Sequence, residues 1–161
     1  MILYHGSNMI VEQPCIVDSN RNLDFGPGFY TTTNKEQAVN FAQKVVQRKD
    51  GKPIVNVYEL IESNIKNLKV KVFDGPNEEW LDFVSENRNG IYSGEQYDII
   101  VGAVADDDVY RTLQVYTSGL LTKEQALEAL KIKKLFNQYV FKTANALKAL
   151  KFVNAEEDLY G

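Results

Sequence analysis

Asp24-Phe25-Gly26-Pro27-Gly28-Phe29-Tyr30-Thr31-Thr32-Thr33 is the stretch on which the fold turns. Glycine and proline punctuate the chain, whereas aromatic and β-branched residues favour extended backbone, so this run predicts a tight turn feeding a strand. The period then changes at once. Asn34 and Gln37 have the spacing of a helix-capping pair, and Ala38, Phe41, Ala42, Val45 and Val46 recur on one helical face. That predicts an amphipathic helix from Lys35 to about Arg48, with Phe41 on its apolar stripe, stopped by Asp50-Gly51-Lys52-Pro53.

Upstream, Ile2, Leu3 and Tyr4 are strand-like and deliver His5-Gly6-Ser7 at the strand's end. Asn8 to Leu23 has no sustained period and reads as loop. Downstream, Ile54 to Ile61 and Leu68 to Phe73 look like strands, and Asn77 to about Asn87 like a helix with Trp80, Leu81 and Val84 on its inner face. Tyr97 to Val104 is a continuous apolar strand. Asp106-Asp107-Asp108 suits a cap for a helix over Val109 to Val115, and the Thr122/Gln125 pair opens another from Lys123 to about Lys131. Phe136 to Thr143 reads as a strand with Tyr139 and Phe141 on one side and Gln138 and Val140 on the other. A short helix near Ala144 to Leu150 and a last strand near Phe152 follow. Strands and helices mix without strict alternation, which favours an α+β fold on antiparallel sheets.

The chain has 161 residues, 44% of them hydrophobic and 25% charged, which suits one domain over residues 1–161. No apolar run approaches the roughly 20 residues of a membrane helix, and the start of the chain lacks the pattern of a secretion signal. The single Cys15 reads as a small half-buried hydrophobe, and a cytoplasmic location is expected. A net charge of -4 argues against broad binding to phosphate backbones. The charge is uneven: from Asp74 to Asp108 ten acidic residues face only Arg88, and from Lys131 to Lys151 there are six lysines and no acid. Runs of this kind are mostly solvated faces. The lysines also suit an anionic substrate or partner.

His5 is the only histidine, so any imidazole chemistry uses it and a zinc centre with two or three histidines is excluded. The aspartate triplet lacks the spacing of a calcium loop, and no phosphate-binding glycine motif is present. Ser7 lies too close to His5 in sequence to be its obvious partner in a hydrolase triad.

His5-Gly6-Ser7 on a first strand, Gly26-x-Gly28-Phe29-Tyr30 on a second, Phe41 eleven residues after Tyr30, and Asn137-Gln138-Tyr139-Val140-Phe141 on a late strand follow one another in order. Together they resemble the ADP-ribosyltransferase superfamily, most closely its poly(ADP-ribose) polymerase-like branch with a histidine, tyrosine and glutamate triad. The likeness extends to a family of small bacterial proteins of undefined function assigned to that superfamily. It implies a split barrel of two packed, mainly antiparallel sheets flanked by helices, with NAD as co-substrate and no metal. His5, Tyr30 and Gln138 would then be catalytic. His5, Gly6, Ser7, Gly28, Tyr30, Thr31 and Phe41 would contact the dinucleotide: His5 at the adenosine ribose, Gly6 at the nicotinamide carboxamide, and Tyr30 and Phe41 on either side of the nicotinamide ring. Ala38 stands where the family has a serine that contacts nicotinamide.

Gln138 stands at the family's glutamate position. Cleavage of the nicotinamide–ribose bond develops oxocarbenium character, which a nearby carboxylate stabilises. Glutamine keeps a hydrogen bond and loses the charge and the general base. The resemblance therefore implies transfer of one ADP-ribose unit to a protein or nucleic-acid acceptor, by a slow pentosyltransferase. Its alternatives are NAD hydrolysis and a catalytically silent module that binds NAD. Removal of an RNA 2′-phosphate would need an arginine-rich cleft, and the chain has only four arginines, widely spaced. The resemblance also suggests a toxin or effector restrained by a cognate antitoxin.

Overall fold

A computed structural model describes residues 1–16, 23–105, 107–131 and 136–157. They form β1 (Ile2–Ser7), β2 (Phe29–Thr32), α1 (Lys35–Arg48), β3 (Ile54–Leu60), a 3-10 turn (Glu62–Ile65), β4 (Val70–Val72), α2 (Glu78–Arg88), β5 (Ile99–Ala103), α3 (Asp107–Thr117), α4 (Lys123–Lys131), β6 (Asn137–Phe141), α5 (Ala144–Leu147) and β7 (Leu150–Glu156). The mixed α+β class and the bounds of α1 and α4 agree with the sequence reading. Their caps explain why. The Asn34 side chain accepts from the Gln37 N–H at 2.9 Å. At α4 the box is reciprocal, with Gln125 N–H donating to Thr122 Oγ1 at 3.1 Å and Thr122 N–H to Gln125 Oε1 at 2.9 Å.

The strands form one seven-stranded sheet in the order β4-β5-β6-β2-β1-β3-β7, not the two packed sheets expected. The reason is β2. It pairs with β6 at all four of its positions, from Phe29↔Phe141 to Thr32↔Gln138, and meets β1 at the single pair Tyr4↔Thr32. Hydrogen bonding is thus continuous across the sheet, through a narrow waist. One pair, β4 with β5, is parallel, because α2 provides the long crossover that parallel strands require.

Packing also divides at the waist. On one face, α2, α3 and α4 cover the β5/β6 half with Trp80, Leu81, Val84, Leu113 and Leu130 against Ile100 and Val140. On the same face α1 covers the β1/β3 half, with Ala38 against Val55 and Val57. The opposite face buries Leu3, Phe29, Tyr58, Ile99 and Phe141 with Ala146 and Ala149. Each such large apolar side chain contributes about 1.5–3 kcal/mol on burial.

Phe41 corrects the expected stripe of α1, because it is 46% exposed while Ala38 and Ala42 are buried. A Cβ on Gly6 would lie 2.1 Å from Ala38 O and 2.8 Å from Ala42 N, so helix and strand touch backbone to backbone there. No ring fits into such a contact. Cys15 is exposed, not half-buried. Asp106, Lys133 and Lys134 lie outside the described residues. Among those residues, no helix is long and apolar enough to cross a membrane.

Candidate functional site

Leu60 N–H donates to Met1 O at 2.8 Å, continuing the β1–β3 register past Ile2↔Glu59. Backbone groups alternate in direction along a strand, so Leu3, His5 and Ser7 turn theirs toward β3, and Tyr4 and Gly6 turn theirs toward β2. Tyr4 meets Thr32 there. The next pair of that kind would be Gly6 with Tyr30, but the registered pairing ends at Tyr4↔Thr32. Across the opening His5 Nδ1 lies 2.6 Å from the Tyr30 carbonyl oxygen, and the imidazole stacks on Phe29 with centroids 4.2 Å apart.

This contact settles the tautomer. A carbonyl only accepts, so Nδ1 carries the proton, and desolvation lowers the His5 pKa to about 4 despite the opposing pull of that carbonyl. The ring is neutral at pH 7, with Nε2 as an acceptor. The Gly6 peptide groups point into the same opening. Contact with α1 is enough by itself to require glycine at position 6.

Tyr30 clasps the turn that precedes it. Its hydroxyl accepts from the Phe25 N–H at 3.0 Å and donates to Gly26 O at 2.5 Å. Burial, reinforced by the Asp24 carboxylate, raises its pKa, so the phenol stays protonated. Gly26 has φ +75°, a conformation that favours glycine. Gly28 is pressed against β6, where a Cβ would lie 2.7 Å from Val140 Cγ1. The Thr31 hydroxyl donates to Tyr139 O at 2.8 Å, and Ser7 Oγ accepts from the Met9 N–H at 3.3 Å.

Antiparallel partners share a face, so the register puts Gly6, Tyr30, Thr32 and Gln138 on the side covered by the helices. His5, Ser7 and Thr31 belong to the other side. The structure therefore brings His5, Gly6 and Tyr30 together at the waist, with Phe41 exposed on the helix that covers Gly6. The His5 imidazole reaches Tyr30 through the backbone, not through its ring. Gln138 is the β6 partner of Thr32, one strand over from the waist pair, and its amide turns to Asp24 beside the turn.

Gln138 is 5% exposed. Its Nε2 donates to Asp24 Oδ2 at 3.3 Å and to Ala103 O at 3.2 Å. Asp24, equally buried, accepts Arg88 Nε at 2.6 Å on Oδ1, an ion pair with Arg88 Nη2 on the same oxygen, and the Ala105 N–H at 3.2 Å on Oδ2. The Arg88 guanidinium lies 4.4 Å from the centroid of the Tyr110 ring. Sequence reading missed Asp24 and Arg88 as a pair. The signal was there in part, since Arg88 is the one cation in the acidic run from Asp74 to Asp108. Its partner, 64 residues away, had no such mark.

Chemically, the waist offers a neutral imidazole acceptor, a glycine peptide carrying one donor and one acceptor, and aromatic residues on the strand and helix beside it. The turn offers a carboxylate already neutralised by a guanidinium. No curated protein and no solved structure matches the chain. A family match does, over residues 1–152, and the chain belongs to that family, DUF3990, described as a protein of unknown function.

Proposed function

We propose that the protein is a mono-ADP-ribosyltransferase that binds NAD at the β1/β2 waist and breaks its nicotinamide–ribose bond. One observation carries the reading: the pair that Gly6 and Tyr30 would form is replaced by the contact of the His5 side chain with Tyr30 O, so the Gly6 peptide groups face β2 beyond the end of the registered pairing. The Gly6 N–H and C=O match the acceptor and donor of a carboxamide. His5 Nε2 suits a ribose hydroxyl, which donates. The Tyr30 and Phe41 rings flank a flat cation, worth about 0.5–2 kcal/mol for each good contact.

Gln138 gives this enzyme its limits. Its Nε2 is held by Asp24 and Ala103, so a ribose hydroxyl would meet Oε1. The nearest carboxylate, Asp24, is paired with Arg88 and offers little net charge to a developing cation. Slow transfer of a single unit follows. The same neutralised carboxylate favours a second reading, a domain that binds NAD without turning it over.

The test is incubation of the protein with isotopically labelled NAD and a cell lysate, following nicotinamide release and mass-labelled acceptors. Transfer to protein or nucleic acid, lost in His5→Ala and in Tyr30→Ala, is expected. NAD loss with no labelled macromolecule would identify a glycohydrolase, and calorimetric binding without nicotinamide release would identify the silent module. If NAD neither binds nor raises the melting temperature, the reading fails.

A further inference from the structure

Another opening lies beside the turn that Tyr30 clasps. A cavity of about 130 Å³ opens between the turn, α2, the 89–98 loop and the start of the segment after β6. Its walls are the rings of Phe25, Phe83, Tyr92 and Tyr97 with Ile100, and Lys142 stands at its edge. Phe83 and Tyr92 meet edge to face, with centroids 4.7 Å apart. The two phenols are already committed: Tyr92 donates to Glu95 O at 2.6 Å and Tyr97 to Glu95 Oε2 at 3.1 Å. The rings are thereby held as walls.

Lys142 is the feature the rest of the fold does not use. It is half-buried and donates to Phe25 O at 2.5 Å, and among the described residues no carboxylate pairs with it. The one carboxylate lining the cavity, Glu95, is ion-paired with Lys69. A half-buried ammonium without a counter-ion is costly, and an ammonium has three donors, of which the carbonyl takes one. The missing component is an anion. The space limits its body: a cavity of about 150 Å³ accepts one benzene ring.

We propose that this cavity binds a small planar aromatic carboxylate, its ring between Phe83 and Tyr97 and its carboxylate on Lys142 Nζ. NAD chemistry plays no part in the site, which stands or falls independently of the waist. The protonation state supports an anion. Desolvation lowers the Lys142 pKa to about 8, so the amine is mostly charged at neutral pH and loses its proton just above it. The other titratable groups facing the cavity are Glu95, whose pKa is lowered by Lys69 and Tyr97, and the tyrosines Tyr92 and Tyr97, whose pKa values are raised mainly by desolvation. Between about pH 7 and pH 9, Lys142 is therefore the group that changes charge.

The experiment is ¹⁹F NMR titration of the full chain with 4-fluorobenzoate and, separately, with the neutral 4-fluorobenzamide. Saturable binding of the benzoate is expected near pH 7, with the amide weaker by about tenfold, a charge-assisted contact being lost. Benzoate affinity should fall by about tenfold as the pH rises to about 9.5, because the bound anion raises the Lys142 pKa and the site must then take up a proton. Lys142→Met should lose binding to a similar extent. If that variant fails to fold, the amide comparison and the pH series on the unaltered protein decide the matter. Absence of saturable benzoate binding, equal binding of the two probes, a flat pH series, or retained binding in folded Lys142→Met would each overturn the assignment.

Discussion

The waist between β1 and β2 and the cluster around Asp24 solve opposite problems with similar residues. At the waist a backbone pair is left open and one side chain, His5, spans the opening. At the cluster, Asp24 is met by Arg88, Gln138 and the Ala105 N–H, so its carboxylate is fully engaged. A satisfied buried network rigidifies, whereas backbone groups beyond the end of a ladder need another partner. The molecule thus separates the open waist from the brace that holds the turn beside it.

Breaking the brace has the largest expected effect. Arg88→Met leaves the Asp24 carboxylate buried without its cation, and a loss of about 4 kcal/mol is expected in urea denaturation. If Asp24→Asn is added, much of the loss should return, since the unpaired charge goes with it. Without that recovery the pair is not the source of the effect.

At the waist the most damaging single change is Gly6→Ala. Its methyl group would have to displace the α1 backbone at Ala38 and Ala42, and about 3 kcal/mol is expected from such overpacking. Wild-type stability in this variant would mean that helix and strand are farther apart than described.

These two sites also show what the sequence could tell. Helix α1 was legible to the residue because its cap, its apolar period and its glycine-proline stop are all local. The waist was legible in part: His5, Gly6 and Tyr30 stood out, but the single shared pair that makes one sheet out of two halves depends on a contact 28 residues apart in sequence, Tyr4 with Thr32. Periodicity alone puts Phe41 on the apolar stripe of α1, because it counts apolar residues and not the room available to them. Gln138 was marked for chemistry, yet its neighbours Asp24 and Ala103 come from other strands and turns that no periodic pattern joins.

That neighbourhood changes what Gln138→Glu should do. If the proposed function holds, the family resemblance implies that a carboxylate restored at this position speeds nicotinamide release. In the structure it would face Asp24 Oδ2 and Ala103 O, both acceptors, and lose two donated hydrogen bonds. About 2 kcal/mol of destabilisation is expected near neutral pH, and any gain in activity should emerge only in the double variant Asp24→Asn/Gln138→Glu, where amide and carboxylate exchange places. A single variant as stable as the wild type would show that Gln138 does not donate to Asp24.

His5 provides the smallest effect and the clearest contrast in sign. Its pKa in the folded chain, about 4, lies below the 6.5 of an unperturbed histidine, so between these values the unfolded chain binds the extra proton. Its contribution is fully present above about pH 6.5, declines as the pH falls, and stops declining below about pH 4, with about 1–2 kcal/mol lost by pH 5. His5→Gln should flatten that slope in denaturation measured across the window, whereas acidification should relieve Gln138→Glu, whose new carboxyl becomes a donor once protonated. A wild-type slope unchanged by His5→Gln would mean that the imidazole is solvated rather than enclosed at the waist, and the neutral Nε2 acceptor assigned to it would go too.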